Sequence, residues 1–536
     1  MKIFFYDSLS KEACDREVTS GITLKNQSHF LGITLTNHIE RARISKVTIK
    51  GLDKKFWKLY RKDNVPLTIK NGTVECDDYI DPDTSLVPDV LSETNGIDNI
   101  IPLCGKLNFL LKISPCEEML PVGDITISVF AETEKGEKDE KTYTLTVLDR
   151  ELEKSDFRVT QWIHYDCIVD YHKCRPFSKR FYEILKSYFA TAVEYGQTMV
   201  YVPLFTAPLD TRIGSERTTC QLVDVKKTDA GYEFGFDKVK YFIEFALASG
   251  FKYLEFSHLF TQWGALHAPK IIAEVNGKNR RIFGWETDSA GEEYLTFIRA
   301  LLTKLTAFIN ENGWHDISHF HVSDEPSAEA LERYSVLRDV VRESIGDIHI
   351  MDALSNYEFY QRGLVSLPVP VIDRIAPFVE NNVTHMAYYC CCPNRENYTN
   401  RFLILPLHRV RILGLLLYRN NAIGFLHWGY NFYNSFLSVH KIDPYRCTDG
   451  AGSFPSGDSF VVYPVENGCT PSARLVALGE GFNDYHLLKM LEAKKGRDYV
   501  MALLESEGVH EGYNNYPFDA AWHMDFMNRV TKEISE

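Results

Sequence analysis

His319-Phe320-His321-Val322-Ser323-Asp324-Glu325-Pro326-Ser327 is the stretch of the 536-residue chain from which the fold is inferred. The apolar residues Ile317, Phe320 and Val322 predict a short strand, which ends at two adjacent carboxylates and a proline. From residue 331 onward, apolar side chains recur at helical spacing, with Ser327 as the predicted N-cap. Asp324 and Glu325 therefore lie at the carboxyl end of a predicted strand, where α/β barrels place their chemistry.

The acid pair has a catalytic and a structural interpretation. Neighbouring residues on a regular strand point to opposite faces, so one site uses both acids only where regular geometry ends. Pro326 favours such an end, because it donates no ladder hydrogen bond and restricts the residue before it. Alternatively, the two charges only stabilise the N-terminus of the next helix, by a few tenths to about 1 kcal/mol. The acid pair alone does not distinguish these interpretations, so the rest of the sequence is needed.

Composition narrows the class of protein. Asp and Glu total 73 against 59 Lys and Arg, and the net charge of −14 argues against a nucleic-acid partner or an anionic membrane surface. Twelve scattered cysteines with no CxxC pair predict neither a zinc cluster nor a disulfide framework. No apolar run approaches the roughly 20 residues that cross a bilayer, and residues 1–7 do not resemble a signal peptide. We therefore expect a cytoplasmic protein without a cofactor; its oligomeric state is left open.

The rhythm of the sequence predicts a multidomain protein, an N-terminal antiparallel β-sandwich followed by a (β/α)8 TIM-like barrel. Residues 1–155 contain short alternating segments separated by Asp, Gly, Pro and Asn clusters, which is typical of a β-sandwich domain. Residues 156–500 alternate strand-like and helix-like segments and are predicted to form the catalytic barrel. Residues 501–536 are predicted to be a helical extension packed on the barrel.

The barrel region contains eight strand signals and two insertions. One insertion, 271–285, resembles a hairpin that turns at Asn276-Gly277, and the other, 431–460, is a long aromatic and polar loop. The strands are predicted at 157–165, 198–205, 251–260, 315–323, 347–353, within 369–379, 384–391 and 422–428, and the main helices at 178–194, 237–249, 292–312, 405–418 and 472–494.

Aromatic and polar residues cluster at the predicted strand ends. Aromatic rings stack on the apolar faces of sugars, and sugar hydroxyls need paired donors and acceptors, so such a rim favours carbohydrate binding. Taken singly, each residue is more often part of the packing. The candidates for substrate binding are His258, Trp263, Tyr389, His427, Trp428, Tyr430, Asn431 and Asp458.

Other chemistries have weaker signals. His319 and His321 could form a metal pair as in metal-dependent barrel hydrolases, but the sequence places no convincing further ligands beside them, so buried, hydrogen-bonded histidines are favoured. The chain has no GxSxG elbow, no P-loop and no strand-linked GxGxxG. Serine-based acyl transfer, nucleotide hydrolysis and dinucleotide binding therefore lose support.

Three motifs resemble signatures of glycoside hydrolase family 123 and its uncharacterised relatives. They are HVSDEP at 321–326, GFLHWGYN at 424–431 and PSGDSFVVYP at 455–464. The resemblance covers residues 150–500 and implies a β-sandwich joined to a catalytic barrel. It also implies a retaining exo-β-N-acetylgalactosaminidase or related β-hexosaminidase that acts on an oligosaccharide or glycoconjugate glycan. Tyr433, where many relatives have tryptophan, leaves the sugar specificity open.

The resemblance also implies roles for individual residues. In a substrate-assisted mechanism the 2-acetamido oxygen of the substrate attacks the anomeric carbon and forms an oxazolinium ion, so the enzyme needs no nucleophilic carboxylate. Glu325 would be the general acid and base, and Asp324 would hold the acetamido N–H. Tyr389 would bind the acetamido oxygen, Trp428 would form the floor, and Asn431 and Asp458 would bind hydroxyls. The alternatives are a glycan-binding protein without turnover and a metal-dependent hydrolase using His319 and His321.

Overall fold

The computed structural model describes residues 1–12, 16–37, 40–68, 84–388 and 397–536. The first 150 residues form two five-stranded sheets within these ranges. Their strands are β1 (Lys2–Tyr6), β2 (Ser20–Leu24), β3 (His29–Thr36), β4 (Ala42–Lys50), β5 (Trp57–Pro66), β6 (Leu86–Glu93), β7 (Ile100–Ile101), β8 (Lys106–Ile113), β9 (Gly123–Thr133) and β10 (Lys138–Leu148). The strand orders are β1-β3-β8-β5-β6 and β2-β10-β9-β4-β7, and neighbouring strands are antiparallel except β2 and β10, which are parallel.

Side-chain alternation explains why these sheets form. Along β9 every second side chain from Ile125 onward is buried, which is the pattern of a sheet with one covered face. Ile127 and Val129 belong to the same buried cluster as Ile33 and Phe109 from the other sheet. The prediction of an antiparallel β-rich N-terminal region is confirmed.

From residue 157 onward strands alternate with helices. The elements are β11 (Arg158–Gln161), α1 (Tyr165–His172), α2 (Lys179–Glu194), β12 (Met199–Val202), β13 (Asp224–Thr228), β14 (Gly231–Gly235), α3 (Asp237–Ala248), β15 (Tyr253–Phe256), β16 (Ile271–Val275), β17 (Lys278–Phe283), α4 (Glu292–Glu311), β18 (Ser318–Phe320), α5 (Leu331–Ile345), β19 (His349–Leu354), α6 (Glu358–Gln361), β20 (Leu367–Pro370), α7 (Ala376–Glu380), β21 (Ala387–Tyr388), α8 (His408–Arg411), α9 (Leu413–Arg419), β22 (Gly424–His427), β23 (Val462–Val465), β24 (Gly468–Pro471), α10 (Ala473–Lys495), α11 (Arg497–Ser506) and α12 (Ala520–Ser535).

Eight of the described strands form two parallel sheets whose edges meet. One sheet has the order β12-β15-β18-β19-β20 and the other β11-β22-β21. At one junction the Thr198 N–H donates to the Val159 carbonyl at 3.0 Å, and at the other Val371 and Tyr388 form a parallel bridge. All eight strands overlap their predicted ranges. The sixth begins two residues before its range, because Pro368 and Pro370 weaken the strand signal there.

The insertion between β15 and α4 forms a hairpin that joins a small additional sheet. β16 and β17 are paired around Asn276 and Gly277, which have φ values of 52° and 73°, as expected for a tight hairpin turn. The order β14-β13-β16-β17 includes the hairpin β13–β14, which the sequence pattern did not predict.

The C-terminal helices contact both halves of the chain. The Ser472 hydroxyl accepts from the Leu475 N–H and caps α10, as expected for a helix that begins near residue 472. α11 and α12 pack against α10, and the Arg474 guanidinium of α10 binds Asp89 of β6. No helix in the described ranges is both long and apolar enough to span a bilayer.

Candidate functional site

Asp324 and Glu325 share one cavity beyond the carboxyl ends of the parallel strands. The volume of the cavity is about 590 Å³, which includes space that is open to solvent. Both acids are half-buried. Among the described residues that line the cavity there is no lysine or arginine, so it has acidic groups between aromatic walls. The lining consists of Trp162, Asp210, Gln262, Trp263, Asp324, Glu325, Ala353, Tyr388, Leu426, Trp428, Phe436 and Phe454.

An irregular backbone lets both acids face this cavity. Glu325 has a φ of 43°, a left-handed conformation that is uncommon outside glycine. The Glu325 N–H donates to the Ala353 carbonyl at 3.1 Å, and the Asp324 carbonyl accepts from the Trp263 N–H at 3.0 Å. Contacts from the end of β19 and from the loop after β15 therefore hold a strained turn, a feature that often marks functional sites.

Tyr388 binds the predicted acid directly. It is the last described residue of β21, and its hydroxyl donates to Glu325 Oε1 at 3.0 Å. Tyr389, the predicted ligand of the acetamido oxygen, lies outside the described residues. The role of Tyr389 therefore stays a prediction.

The carboxyls in the cavity perturb one another. Burial, followed by the charges of Glu325 and Asp210, raises the pKa of Asp324 well above its ordinary value. Burial raises the pKa of Asp210 to about 6, although Arg217 opposes the shift, and the charge of Glu325 adds to it. The surroundings of Asp324 therefore favour the protonated form of its carboxyl.

A buried hydrogen-bond network lies beneath the acid pair. His321 is bound at Nε2 to Glu255 Oε1 at 2.6 Å and at Nδ1 to Asp352 Oδ1 at 2.8 Å. Burial alone would lower the pKa of His321, but the hydrogen bonds to Asp352 and Glu255 and their charges raise it to about 9. The side chain is therefore an imidazolium at neutral pH, and its positive charge partly offsets the rise in the pKa of Asp324.

The predicted histidine pair does not converge on a metal position. Both ring nitrogens of His321 are already bound to carboxylates, and His319 Nδ1 lies 3.3 Å from the Leu254 carbonyl. Ligand atoms of His258, His321 and Asp352 do lie within 4.8 Å of one another. However, the rings of His258 and His321 stack at 4.0 Å and 17°, which favours packing of the two rings.

Trp263 and Trp428, two of the predicted substrate-binding residues, lie in the cavity wall. Trp263 is 51% exposed and has a φ of 59°, so a strained turn presents a large apolar surface at the entrance. Trp428 is half-buried and packs on Phe454 and Phe432, with ring centroids 5.1 and 5.2 Å apart. These rings are positioned to stack on a sugar.

Tyr430 and Asn431 are part of the packing instead of the cavity wall. The buried Tyr430 hydroxyl donates to the Tyr188 carbonyl at 3.1 Å. The Asn431 amide bonds both backbone groups of His164, at 2.8 and 3.1 Å. Asn431 thus joins the loop after β22 to the loop after β11, and its side chain does not line the cavity.

His258, His427 and Asp458 are also buried away from the lining. Tyr201 and His258 are joined by a hydrogen bond of 3.1 Å between the hydroxyl and Nδ1. His427 Nδ1 accepts from the Gly429 N–H at 2.9 Å, and its Nε2 lies 3.4 Å from Asp458 Oδ1. His258 and His427 lie at the carboxyl ends of β15 and β22, and Asp458 lies in the long loop after β22. The apolar–polar pattern did not distinguish side chains that face the cavity from those behind it.

Asp210, Gln262, Phe436 and Phe454 line the cavity but were not predicted. Asp210 and Gln262 lie in irregular loops after β12 and β15, and the two phenylalanines lie in the long insertion after β22. The only sequence signal was the length and aromatic content of that last loop. Side-chain direction in an irregular loop has no periodicity from which it could be inferred.

The sequence comparison decides the family. The model of the glycoside hydrolase 123 catalytic domain matches residues 162–491. This chain belongs to glycoside hydrolase family 123. Membership identifies the protein as a glycosidase and confirms the resemblance found in the three motifs.

Solved structures of other glycosidases resemble this family 123 chain. A family 123 glycoside hydrolase from Clostridium perfringens, studied for its hydrolysis of glycolipid glycans, has a TM-score of 0.73 at 14% identity, and the match covers 99% of this chain and 98% of that one. A GH5 xyloglucanase from Bacteroides ovatus has a TM-score of 0.31 at 9% identity over 87% and 98% of the two chains. A family 39 glycoside hydrolase from Bacteroides cellulosilyticus has a TM-score of 0.32 at 9% identity, and the match covers 87% of this chain and 81% of that one. None of the curated proteins matches.

Proposed function

We propose that this family 123 protein is a retaining exo-glycosidase that removes terminal β-linked N-acetylhexosamine, with N-acetylgalactosamine as the preferred sugar. The observation that carries the proposal is the pair Asp324 and Glu325, held on a strained turn in one aromatic-walled cavity. Adjacent acids on one turn suit a mechanism in which the substrate supplies the nucleophile, since they approach the sugar from one side.

Glu325 is the proposed general acid and base. As the acetamido oxygen attacks the anomeric carbon, the bond to the leaving oxygen breaks and that oxygen takes the proton of Glu325. The oxazolinium ion then reacts with water, which gives its proton to Glu325 and restores the sugar with retained configuration. The Tyr388 hydroxyl, 3.0 Å from Oε1, orients the carboxyl throughout.

Asp324 is the proposed partner of the acetamido N–H. Burial and the charges of Glu325 and Asp210 raise its pKa. A substrate whose acetamido nitrogen becomes positive reverses that balance, because a nearby cation favours the carboxylate. The interaction therefore strengthens as the oxazolinium ion forms, which is the condition for lowering the barrier.

The architecture that we propose is a (β/α)8 barrel preceded by a β-sandwich. The contacts from Thr198 to Val159 and from Val371 to Tyr388 support closure of the two parallel sheets into one ring. The shared apolar cluster of the N-terminal sheets supports the sandwich. The proposed domains are residues 1–155, 156–500 and a C-terminal helical extension at 501–536.

The substrate that we propose is an oligosaccharide or glycoconjugate glycan, with Trp428 as the floor of the sugar pocket. The exposed Trp263 and Phe436 extend the apolar wall toward the entrance, where the rest of the glycan would lie. The work on glycolipid glycans with the Clostridium perfringens relative is consistent with this class.

The experiment is hydrolysis of nitrophenyl β-N-acetylgalactosaminide and β-N-acetylglucosaminide. We expect Glu325→Gln and Asp324→Asn each to lower kcat by about 10²- to 10⁴-fold, the usual contribution of a general acid or charge stabiliser. Glu329→Gln, an exposed acid four residues after Glu325, is the matched control and should leave the rate unchanged. Equal activity of the wild type and both acid variants would contradict the assigned roles, and binding without turnover would favour a glycan-binding protein.

A further inference from the structure

Asp210 is fixed in the catalytic cavity by loops from three parts of the barrel region. Its N–H donates to Gln262 Oε1 at 2.6 Å, and its carbonyl accepts from the Ser438 hydroxyl at 2.7 Å. These partners belong to the loops after β15 and β22, whereas Asp210 follows β12. Its φ of 47° is a strained conformation for a non-glycine residue. The backbone is therefore held on both sides while the side chain faces the cavity.

The carboxylate of Asp210 faces the cavity and is able to bind a ligand. Among the described residues it has no hydrogen-bond or ion-pair partner, although it lines the cavity. The nearby Arg217 does not neutralise it directly, because the Arg217 guanidinium binds both oxygens of Asp166 at 2.6 and 2.8 Å and the Leu209 carbonyl at 3.1 Å. A partly buried carboxylate without a partner lowers the stability of the fold. Because the backbone nevertheless fixes Asp210 in this position, we expect its side chain to have a function.

We propose that Asp210 is a specificity-determining residue that accepts hydrogen bonds from hydroxyls of the terminal sugar. The inference rests on the proposed function. Asp324 and Glu325 would occupy the side of the ring that carries C1 and C2, so a carboxylate on a different loop meets the remaining hydroxyls on C3, C4 or C6. An ionised carboxylate only accepts, and hydroxyls are the donors that a sugar offers. The charge of Glu325 raises the pKa of Asp210, and the charge of Asp210 raises the pKa of Asp324. These effects agree with a position of all three carboxyls around one sugar ring.

The test compares the wild type with Asp210→Asn on aryl glycosides that lack one hydroxyl. Asparagine keeps the size of the side chain and one acceptor but loses the charge. We expect kcat/KM on the parent substrate to fall about 10- to 100-fold, mainly through KM, which is the range for a hydrogen bond to a charged group. The wild type should discriminate against at least one of the 3-deoxy, 4-deoxy and 6-deoxy substrates. Asp210→Asn should lose that discrimination, since the partner of the missing hydroxyl is gone.

The control is Asp229→Asn, which removes an exposed carboxylate in the turn between β13 and β14 and should change neither KM nor discrimination. Equal kcat/KM for Asp210→Asn and the wild type, or the same penalties for all three deoxy substrates in both proteins, would overturn the assignment. If Asp210→Asn fails to fold, a wild type that treats the three deoxy substrates and the parent alike overturns it as well. If the wild type hydrolyses only a different class of glycoside, the proposed function fails, and the Asp210 comparison is made on that glycoside.

Discussion

Tyr388 contacts Glu325, the proposed general acid, directly. Its hydroxyl donates to Glu325 Oε1 at 3.0 Å, which stabilises the ionised carboxylate. We expect Tyr388→Phe to lower kcat about tenfold, as for loss of a hydrogen bond to a charged group. Tyr241→Phe, at an exposed position on α3, is the control, and an unchanged kcat in Tyr388→Phe would show that the contact has no catalytic effect.

The acid limb of the pH–rate profile should depend on the charged groups next to Asp324. Its pKa is raised by burial and by the charges of Glu325 and Asp210. Because the proposed role needs the ionised form, activity should be lost as the pH falls through that raised pKa. Asp210→Asn removes one of the charges and lowers the pKa of Asp324, so the acid limb of kcat should move to lower pH. An acid limb that moves upward or stays in place would contradict this coupling.

At the scale of single residues, the sequence identified the acid pair but little of the wall. Asp324 and Glu325 were predictable because a strand signal, two acids and a proline coincide, and because the motif resembles that of family 123. Tyr389 lies outside the described residues, so its role stays a prediction. Asp210 was not predictable, since its orientation depends on hydrogen bonds from Gln262 and Ser438, 52 and 228 residues away in the chain.

The buried network around His321 joins four strands, β11, β15, β18 and β19, near their carboxyl ends. Glu255 of β15 accepts from Thr160 of β11 at 2.5 Å and binds His321, which follows β18. His321 binds Asp352 of β19 in turn. The network therefore fixes the level at which the strands end, and with it the turn that carries the acids.

We expect His321→Gln to change the pH dependence of stability. The pKa of His321 is about 9 in the folded protein and ordinary when unfolded. Its protonation therefore stabilises the fold fully below about pH 6.5, and that contribution is lost as the pH rises through 9. Urea unfolding should give a free energy for the wild type that falls across this window, by on the order of 3 kcal/mol, whereas the slope should be smaller in His321→Gln. Identical slopes would show that the imidazole is neutral in both states.

Elements with regular periodicity were predictable, and short irregular ones were not. The strands of the two parallel sheets overlap their predicted ranges because their apolar runs are buried on both faces. The small hairpin β13–β14 was missed, since Lys226, Lys227 and Glu233 interrupt its apolar pattern. The pairing of these strands depends on the adjacent strand β16 more than on the pattern of their own residues.

Asp89 and Arg474 form a fully buried ion pair between the N-terminal β-rich region and α10. Arg474 Nε lies 3.0 Å from Asp89 Oδ1, and Tyr463 donates to Asp89 Oδ2 at 2.7 Å. Removing one partner leaves an uncompensated buried charge, so Asp89→Ala should destabilise the protein by about 3–5 kcal/mol. Chemical denaturation measures the loss, and Glu117→Ala, at an exposed position of the same region, is the control. A change no larger than that of the control would contradict a structural role for the pair.

At the scale of the whole molecule, the order of the parts was predictable but their joining was not. The change from antiparallel to alternating rhythm near residue 155 is visible in the sequence. Asp89 and Arg474 are 385 residues apart in the chain, and neither residue has a local pattern that would indicate a buried charge. The contact depends on tertiary packing, which brings β6 beside the start of α10.

The most direct test of substrate assistance varies the nucleophile within the substrate. Aryl β-galactosaminides with N-acetyl, N-fluoroacetyl, N-difluoroacetyl and N-trifluoroacetyl groups differ in the electron density of the carbonyl oxygen and little in shape. If this oxygen attacks the anomeric carbon, kcat/KM should fall steeply with each added fluorine. A kcat/KM that does not change across the series would mean that a group of the protein or a water molecule attacks instead, and the central claim would be wrong.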